Sequence, residues 1–122
     1  MSGNNYLLDT NILLYALKGL TDVRLYFDIP PSISVVTEIE ILGVKEMESP
    51  EIKIRETAIE YCQIIPITNS IKKTTIDLKR KIKLAVPDAL IAATAIEGGF
   101  TLVSADKGFK RIEKLSLILI EV

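Results

Sequence analysis

Short apolar runs recur along the chain at strand length, each followed by a stretch with helical spacing. Tyr6-Leu7-Leu8 reads as a first strand, Ile33-Ser34-Val35-Val36 after Pro30-Pro31 as a second, and Ile64-Ile65-Pro66-Ile67 as a third. Thr101-Leu102-Val103-Ser104, entered through Gly98-Gly99, reads as a fourth and Leu117-Ile118-Leu119-Ile120 as a fifth. The runs are almost uniformly apolar and do not alternate, the pattern of parallel strands covered on both faces. The proline of the third run places that strand at a sheet edge or makes Pro66 its end. Between the strands, Ile71, Thr75, Leu78 and Ile82 fall on one helical face, and Ala89–Ile96 is apolar nearly all round, so that helix is expected to be buried. Lys18–Asp28 reads as helix plus loop. Strand–helix alternation with short connections predicts an α/β sandwich.

Length and composition narrow the chemistry. A chain of 122 residues without repeats or low-complexity linkers is expected to be one domain, 1–122. It has no histidine, which leaves no imidazole for zinc or for Ser-His-Asp or Cys-His catalysis. The single cysteine, Cys62, lies in an apolar stretch and reads as a small buried hydrophobe rather than a nucleophile. No signal peptide is visible and no apolar run approaches a membrane span, so a cytoplasmic location without membrane contact is expected. Chemistry is left to carboxylate, hydroxyl, amide and Lys/Arg groups.

Four acids stand at telling places. Asp9 directly follows the first strand, Glu40 lies just inside the helix after the second, Asp88 opens the apolar helix, and Asp106 follows the fourth strand. Parallel strands end on one edge, which brings Asp9, Glu40 and Asp106 together. The helix after Asp88 must deliver the chain to the start of the fourth strand, so its own start returns to the edge where strands end, the usual ligand edge of open α/β sheets. Each acid also has a structural reading. Thr37 and Glu40 have the form of a capping box, Asp88 after Pro87 suits a first helical turn, and Asp9 and Asp106 could each cap a helix. Capping does not explain why four acids share one pocket. Two unit charges 4 Å apart repel by about 4 kcal/mol at an effective dielectric of 20. A hard divalent cation removes that cost, and oxygen-only ligands select Mg²⁺ or Mn²⁺.

These motifs resemble those of PIN-domain ribonucleases, in particular the VapC-like toxin branch of toxin–antitoxin pairs, and the resemblance runs from Tyr6 to Val122. Leu8-Asp9-Thr10-Asn11-Ile12-Leu13 is similar to the opening strand and first acid. Ser34-Val35-Val36-Thr37-Glu38-Ile39-Glu40 resembles the Ser-x-x-Thr-x-x-Glu element, which assigns the second role to Glu40 rather than Glu38. Leu84–Ala95, around Pro87-Asp88-Ala89, is the most specific match, and Thr101–Phe109 resembles the last motif. One departure is Gly108, where the family often carries a further acid, so the fourth acid rests on Asp106 alone.

The resemblance implies a PIN-like α/β/α sandwich with a five-stranded parallel sheet, and RNA cleavage by a metal-activated water. Asp9, Glu40, Asp88 and Asp106 would be catalytic, with Asp9, Asp88 and Asp106 holding Mg²⁺ or Mn²⁺. It also implies a homodimer and inhibition by a small antitoxin. Placing Asp9 and Asp106 side by side requires the first and fourth strands to be neighbours, so the expected order is 3-2-1-4-5.

Net charge is −1, so RNA binding would need local basic patches. Lys72–Lys83 carries Lys72, Lys73, Lys79, Arg80, Lys81 and Lys83 against Asp77 alone, and Lys107, Lys110, Arg111 and Lys114 form a second basic stretch. They read either as solvated faces or as a phosphate track beside the acids. Two other functions compete. A phosphatase-like fold opening strand–Asp-x-Asp fails here because the second position after Asp9 is Asn11. A PIN-fold RNA- or protein-binding module without catalysis has all four acids against it.

Overall fold

The computed structural model describes residues 5–20 and 22–121. Five strands, β1 (Tyr6–Leu8), β2 (Ser32–Ser34), β3 (Gln63–Ile65), β4 (Thr101–Ser104) and β5 (Leu117–Leu119), form one sheet in the order β3-β2-β1-β4-β5. Every neighbouring pair is parallel. Five helices fill the connections: α1 (Thr10–Lys18), α2 (Val35–Leu42), α3 (Ser49–Tyr61), α4 (Asn69–Lys81) and α5 (Val86–Gly98). The expected α/β/α sandwich, its parallel sheet and its strand order are all present.

The lack of alternation in the strands has a direct cause: both faces of the sheet are covered. Leu7 and Leu102 pack on one side with Ile71 and Leu78 of α4 and the alanine-rich wall of α5. Leu8, Ile33 and Val103 pack on the other side with Ile12 and Leu13 of α1, Ile41 of α2 and Ile59 of α3. The small side chains of Ala89, Ala92, Ala93 and Ala95 let α5 lie close to both α4 and the sheet. Ile71, Thr75 and Leu78 form the buried stripe of α4, and Ile82, expected as its last member, is the C-cap residue.

The structure moves several boundaries. The second strand ends at Ser34, and Val35 and Val36 already belong to α2. The third ends at Ile65, so Pro66 lies just beyond an edge strand, where no ladder donor is missed. The fifth ends at Leu119. Within Lys18–Asp28, α1 stops at Lys18 with Gly19 in the left-handed conformation (φ 69°), the usual helix-ending role of glycine, and a short 3-10 turn spans Arg24–Phe27. Thr21 lies outside the described residues. Helix α3 has no clear apolar stripe; Ile59 is its one buried residue. Cys62 is buried, and that burial pushes its thiol up to about 11, which suits a packing residue and not a nucleophile.

Candidate active site

Because all strands run the same way, their last residues line one edge. The register pairs Leu8 with Val103, so the next residues, Asp9 and Ser104, stand side by side where β1 and β4 end. The Asp9 amide donates to the Val103 carbonyl at 3.1 Å, extending the ladder by one rung. Asp9 is 5% exposed. Its Oδ1 accepts from the Ile12 amide at 2.8 Å, capping α1, and its Oδ2 accepts from the Ser104 hydroxyl at 2.5 Å. Ser104 Oγ also accepts from the Asp106 amide at 3.0 Å, so one hydroxyl joins the first acid to the backbone of the last. Asp106 Oδ1 in turn caps the 3-10 turn Lys107–Arg111 through the Gly108 amide at 2.8 Å. The capping roles expected for Asp9 and Asp106 are therefore real, and each leaves carboxylate oxygen capacity unused.

For Glu40 the capping reading changes, while Asp88 keeps its expected place in a first helical turn. Ser34, not Thr37, is the N-cap of α2, accepting from the Val36 amide at 3.0 Å. Thr37 sits inside the helix and is fully buried, and Glu40 falls beyond the first turn, so the two do not form a capping box. The reason is that the chain turns helical directly after Ser34, three residues earlier than the apolar run suggested. Glu40 is instead held by the Thr10 hydroxyl, which donates to its Oε1 at 2.6 Å and lies 3.0 Å from the Thr37 hydroxyl. Asp88 follows Pro87 in the first turn of α5 and makes no side-chain cap bond there. Helix α2 touches both α1 and α5, which carries Glu40 toward Asp9 on one side and Asp88 on the other.

The four carboxylates form one electrostatic unit. Burial raises the Asp9 carboxyl most, Ser104 and the Ile12 amide pull it back, and the charges of Asp88 and Asp106 add to the rise. Asp88 is raised by desolvation and by the charges of Asp106 and Glu40. Among the described residues the ion pairs are Arg24–Asp22 and Arg55–Glu51, and neither involves a site acid. A sunken carboxylate with like-charged neighbours and no cationic side chain in contact suits a hard divalent ion. The side chains do not form a finished cage: among the described residues no three acidic groups converge as ligands on one point.

The sequence pattern gives no role to Ser104 or Thr10, and it casts Thr37 as a helix cap, not as a partner of Thr10. Their signal was there, in short hydroxyl residues flanking each acid, but hydroxyls at strand and helix ends are commonplace caps. Ser104 is the most consequential. Ser104→Ala leaves the Asp106 amide without its acceptor and a buried carboxylate with one donor fewer. We expect a stability loss of about 1–3 kcal/mol by urea unfolding. A variant as stable as wild type would remove Ser104 from the network.

The fold and this edge define a class: an open parallel α/β sandwich whose one distinctive chemical feature is a carboxylate cluster outside the strand ends. A PIN domain profile matches residues 6–115, and the chain belongs to the PIN domain family. Among solved structures, it is similar to VapBC2 from Rickettsia felis bound to a promoter DNA fragment, with 26% identity, a TM-score of 0.80, and coverage of 95% of this chain and 98% of that one. A toxin–antitoxin complex from Klebsiella pneumoniae matches at 26% identity and TM-score 0.78, covering 97% and 100%. DNA-bound VapBC from Salmonella typhimurium, at 22% identity and TM-score 0.81 over 93% and 96%, shares the fold. A search of curated protein sequences returns no match.

Proposed function

We propose that the chain is a divalent-metal-dependent endoribonuclease and the toxin of a toxin–antitoxin pair. The observation that carries the reading is the cluster of Asp9, Glu40, Asp88 and Asp106 at one sheet edge, with no ion pair to any of them among the described residues. Membership of the PIN domain family supports nuclease chemistry, and the likeness to toxin–antitoxin complexes supports the toxin role. Asp9 and Asp88 would hold Mg²⁺ or Mn²⁺ most directly, Asp106 would complete the site, and Glu40 would act partly through water. A bound ion would supply Lewis acidity and a more acidic water beside a phosphodiester.

The chain's own residues do the positioning. Ser104 and the Ile12 amide fix both oxygens of Asp9, so that carboxylate cannot swing to solvent. Thr10 holds Glu40 at the cleft wall, and Asp106 is tied through its amide to Ser104. This preorganises negative charge where only a cation-bridged substrate can approach. The test is cleavage of single-stranded RNA by purified protein in Mn²⁺ and in EDTA, with a phosphatase substrate as control. Cleavage only with metal, and no phosphatase activity, is the expected result. The alternative, a binding module without catalysis, draws on the unfinished ligand shell and expects RNA or protein binding with no cleavage in either condition.

The partner expected for the toxin is a small antitoxin presenting arginine or lysine to the carboxylates. A cytoplasmic homodimer would cover apolar side chains that the small core leaves outside, such as Leu20, Ile39 and Ile54, which are 58%, 63% and 57% exposed. Strong expression without a partner should arrest growth, and light scattering at micromolar concentration should give a dimer mass. Normal growth would count against the toxin role, and a monomer mass against the dimer.

A further inference from the structure

Gly108, which carries no side chain, lets Asp106 and Arg111 approach the same stretch of backbone. A side chain built at Gly108 would meet Asp106 Oδ1 at 3.0 Å and Arg111 Nη2 at 3.5 Å. The Asp106 carboxylate and the Arg111 guanidinium therefore both lie within contact distance of one point beside the Gly108 backbone. They do not pair, because no Arg111–Asp106 contact falls within ion-pair distance.

Arg111 is also held in place. Its Nε donates to the Gly108 carbonyl at 3.0 Å and its Nη2 to the Lys83 carbonyl at 3.0 Å, clamping the guanidinium between the 3-10 turn and the segment leading into α5. Both acceptors are neutral carbonyls, so the positive charge is oriented without being neutralised. Five N–H donors minus these two leave a free fork, the group suited to bidentate contact with a phosphate. On its other flank lies a cleft lined by Asp77, Glu97 and Glu113, none of which reaches it as an ion pair. Lys107 and Lys110 share its 3-10 turn and Lys83 supplies its backbone acceptor, and all three are exposed and without ion pairs among the described residues.

We infer that Arg111 is a substrate-positioning residue that takes an RNA backbone phosphate on the exposed side of the Lys107–Arg111 turn, next to the cleavage site. The inference rests on the nuclease reading and deepens it by giving the substrate a path: over the 3-10 turn Lys107–Arg111 and past Asp106. A single strand is favoured because one fixed fork beside exposed lysines follows a flexible backbone and reads no base.

The experiment measures binding of a labelled single-stranded RNA in EDTA as salt is varied, and cleavage kinetics in Mn²⁺. Arg111→Gln should weaken binding by about 3- to 10-fold and flatten the slope of log affinity against log salt by about 0.7, the loss of one single-strand phosphate contact. In cleavage, KM should rise by a similar factor while kcat stays within about twofold. Because Arg111→Gln also removes two bonds to backbone, a second route leaves the arginine in place. Gly108→Asp sets a carboxylate against the guanidinium and should reproduce the binding loss, whereas the isosteric Gly108→Asn should not.

An unchanged salt slope in Arg111→Gln, or equal losses in Gly108→Asp and Gly108→Asn, would overturn the inference and leave Arg111 as a backbone clamp. If wild type cleaves RNA while these variants bind it normally, only the role of Arg111 fails. If wild type neither binds nor cleaves RNA, the nuclease reading fails with it.

Discussion

Asp9→Asn should reduce RNA cleavage by roughly a thousandfold or more while leaving the chain folded. Asn retains an oxygen to accept from the Ile12 amide, so the cap of α1 survives. What it loses is charge at the centre of the acidic edge. Asp9 is the most buried of the four acids and the one tied to Ser104 across the β1–β4 seam, so no neighbouring carboxylate can move into its place. The check is a cleavage assay beside circular dichroism and a melting curve on the same preparation. Preserved cleavage in a preparation free of wild-type protein would refute the assignment of Asp9, and loss of cleavage together with loss of fold would move its role to structure.

The second large effect is on stability, and its sign separates a metal site from a set of helix caps. The native carboxyls of Asp9 and Asp88 are raised above the ordinary value of 3.8. The folded chain therefore holds protons to higher pH than the unfolded chain does. Linkage then makes stability fall as pH rises from 3.8 through the raised native values, so without metal the protein is less stable at neutral than at mildly acidic pH on account of these two groups. Asp88→Asn removes one share of that penalty, and its stability in EDTA at neutral pH should equal or exceed that of wild type. Metal should reverse the order, since saturation at 100 times the dissociation constant stabilises a native site by about 2.7 kcal/mol. Were Asp88 only a first-turn acid, its loss would cost about 0.3–1 kcal/mol from the helix dipole and metal would change nothing. Thermal unfolding of both proteins in EDTA and in millimolar Mn²⁺ decides the matter. Equal melting temperatures for wild type in the two buffers would remove the physical basis of the metal site.

Much of this architecture can be read from sequence because the driving terms are strong and local. Uniformly apolar strand runs separated by helical stripes leave few solutions other than a parallel sheet covered on both faces, and β1 and β4 begin and end where that pattern puts them. The order of strands needed a further condition, that Asp9 and Asp106 meet. Boundaries failed where apolar residues serve either state. Val35 and Val36 extend a plausible strand, yet Ser34 caps the helix there and pulls both into α2. That shift misled the reading of Thr37 and Glu40 as a capping box. Helix α3 was not named, because a mostly exposed helix with one buried residue carries almost no periodic signal. The network of Thr10, Thr37 and Ser104 was illegible for a different reason. Hydroxyl pairing across 27 and 95 positions is a product of tertiary register, and no spacing along the chain announces it.

The bond from Ser104 to Asp9 joins residues 95 positions apart, and β1 occupies the middle of the sheet between β2 and β4. During synthesis, then, β1 is made long before β4, and the pairing that seats Asp9 beside Ser104 must span 95 positions. Long-range parallel pairing of this kind is slow to form. The acidic edge cannot assemble before Ser104 and Asp106 have been made, because they supply its clamp and its last carboxylate. The edge thus forms only after β4 has been translated and docked beside β1, so every acid but Asp106 waits on one late pairing.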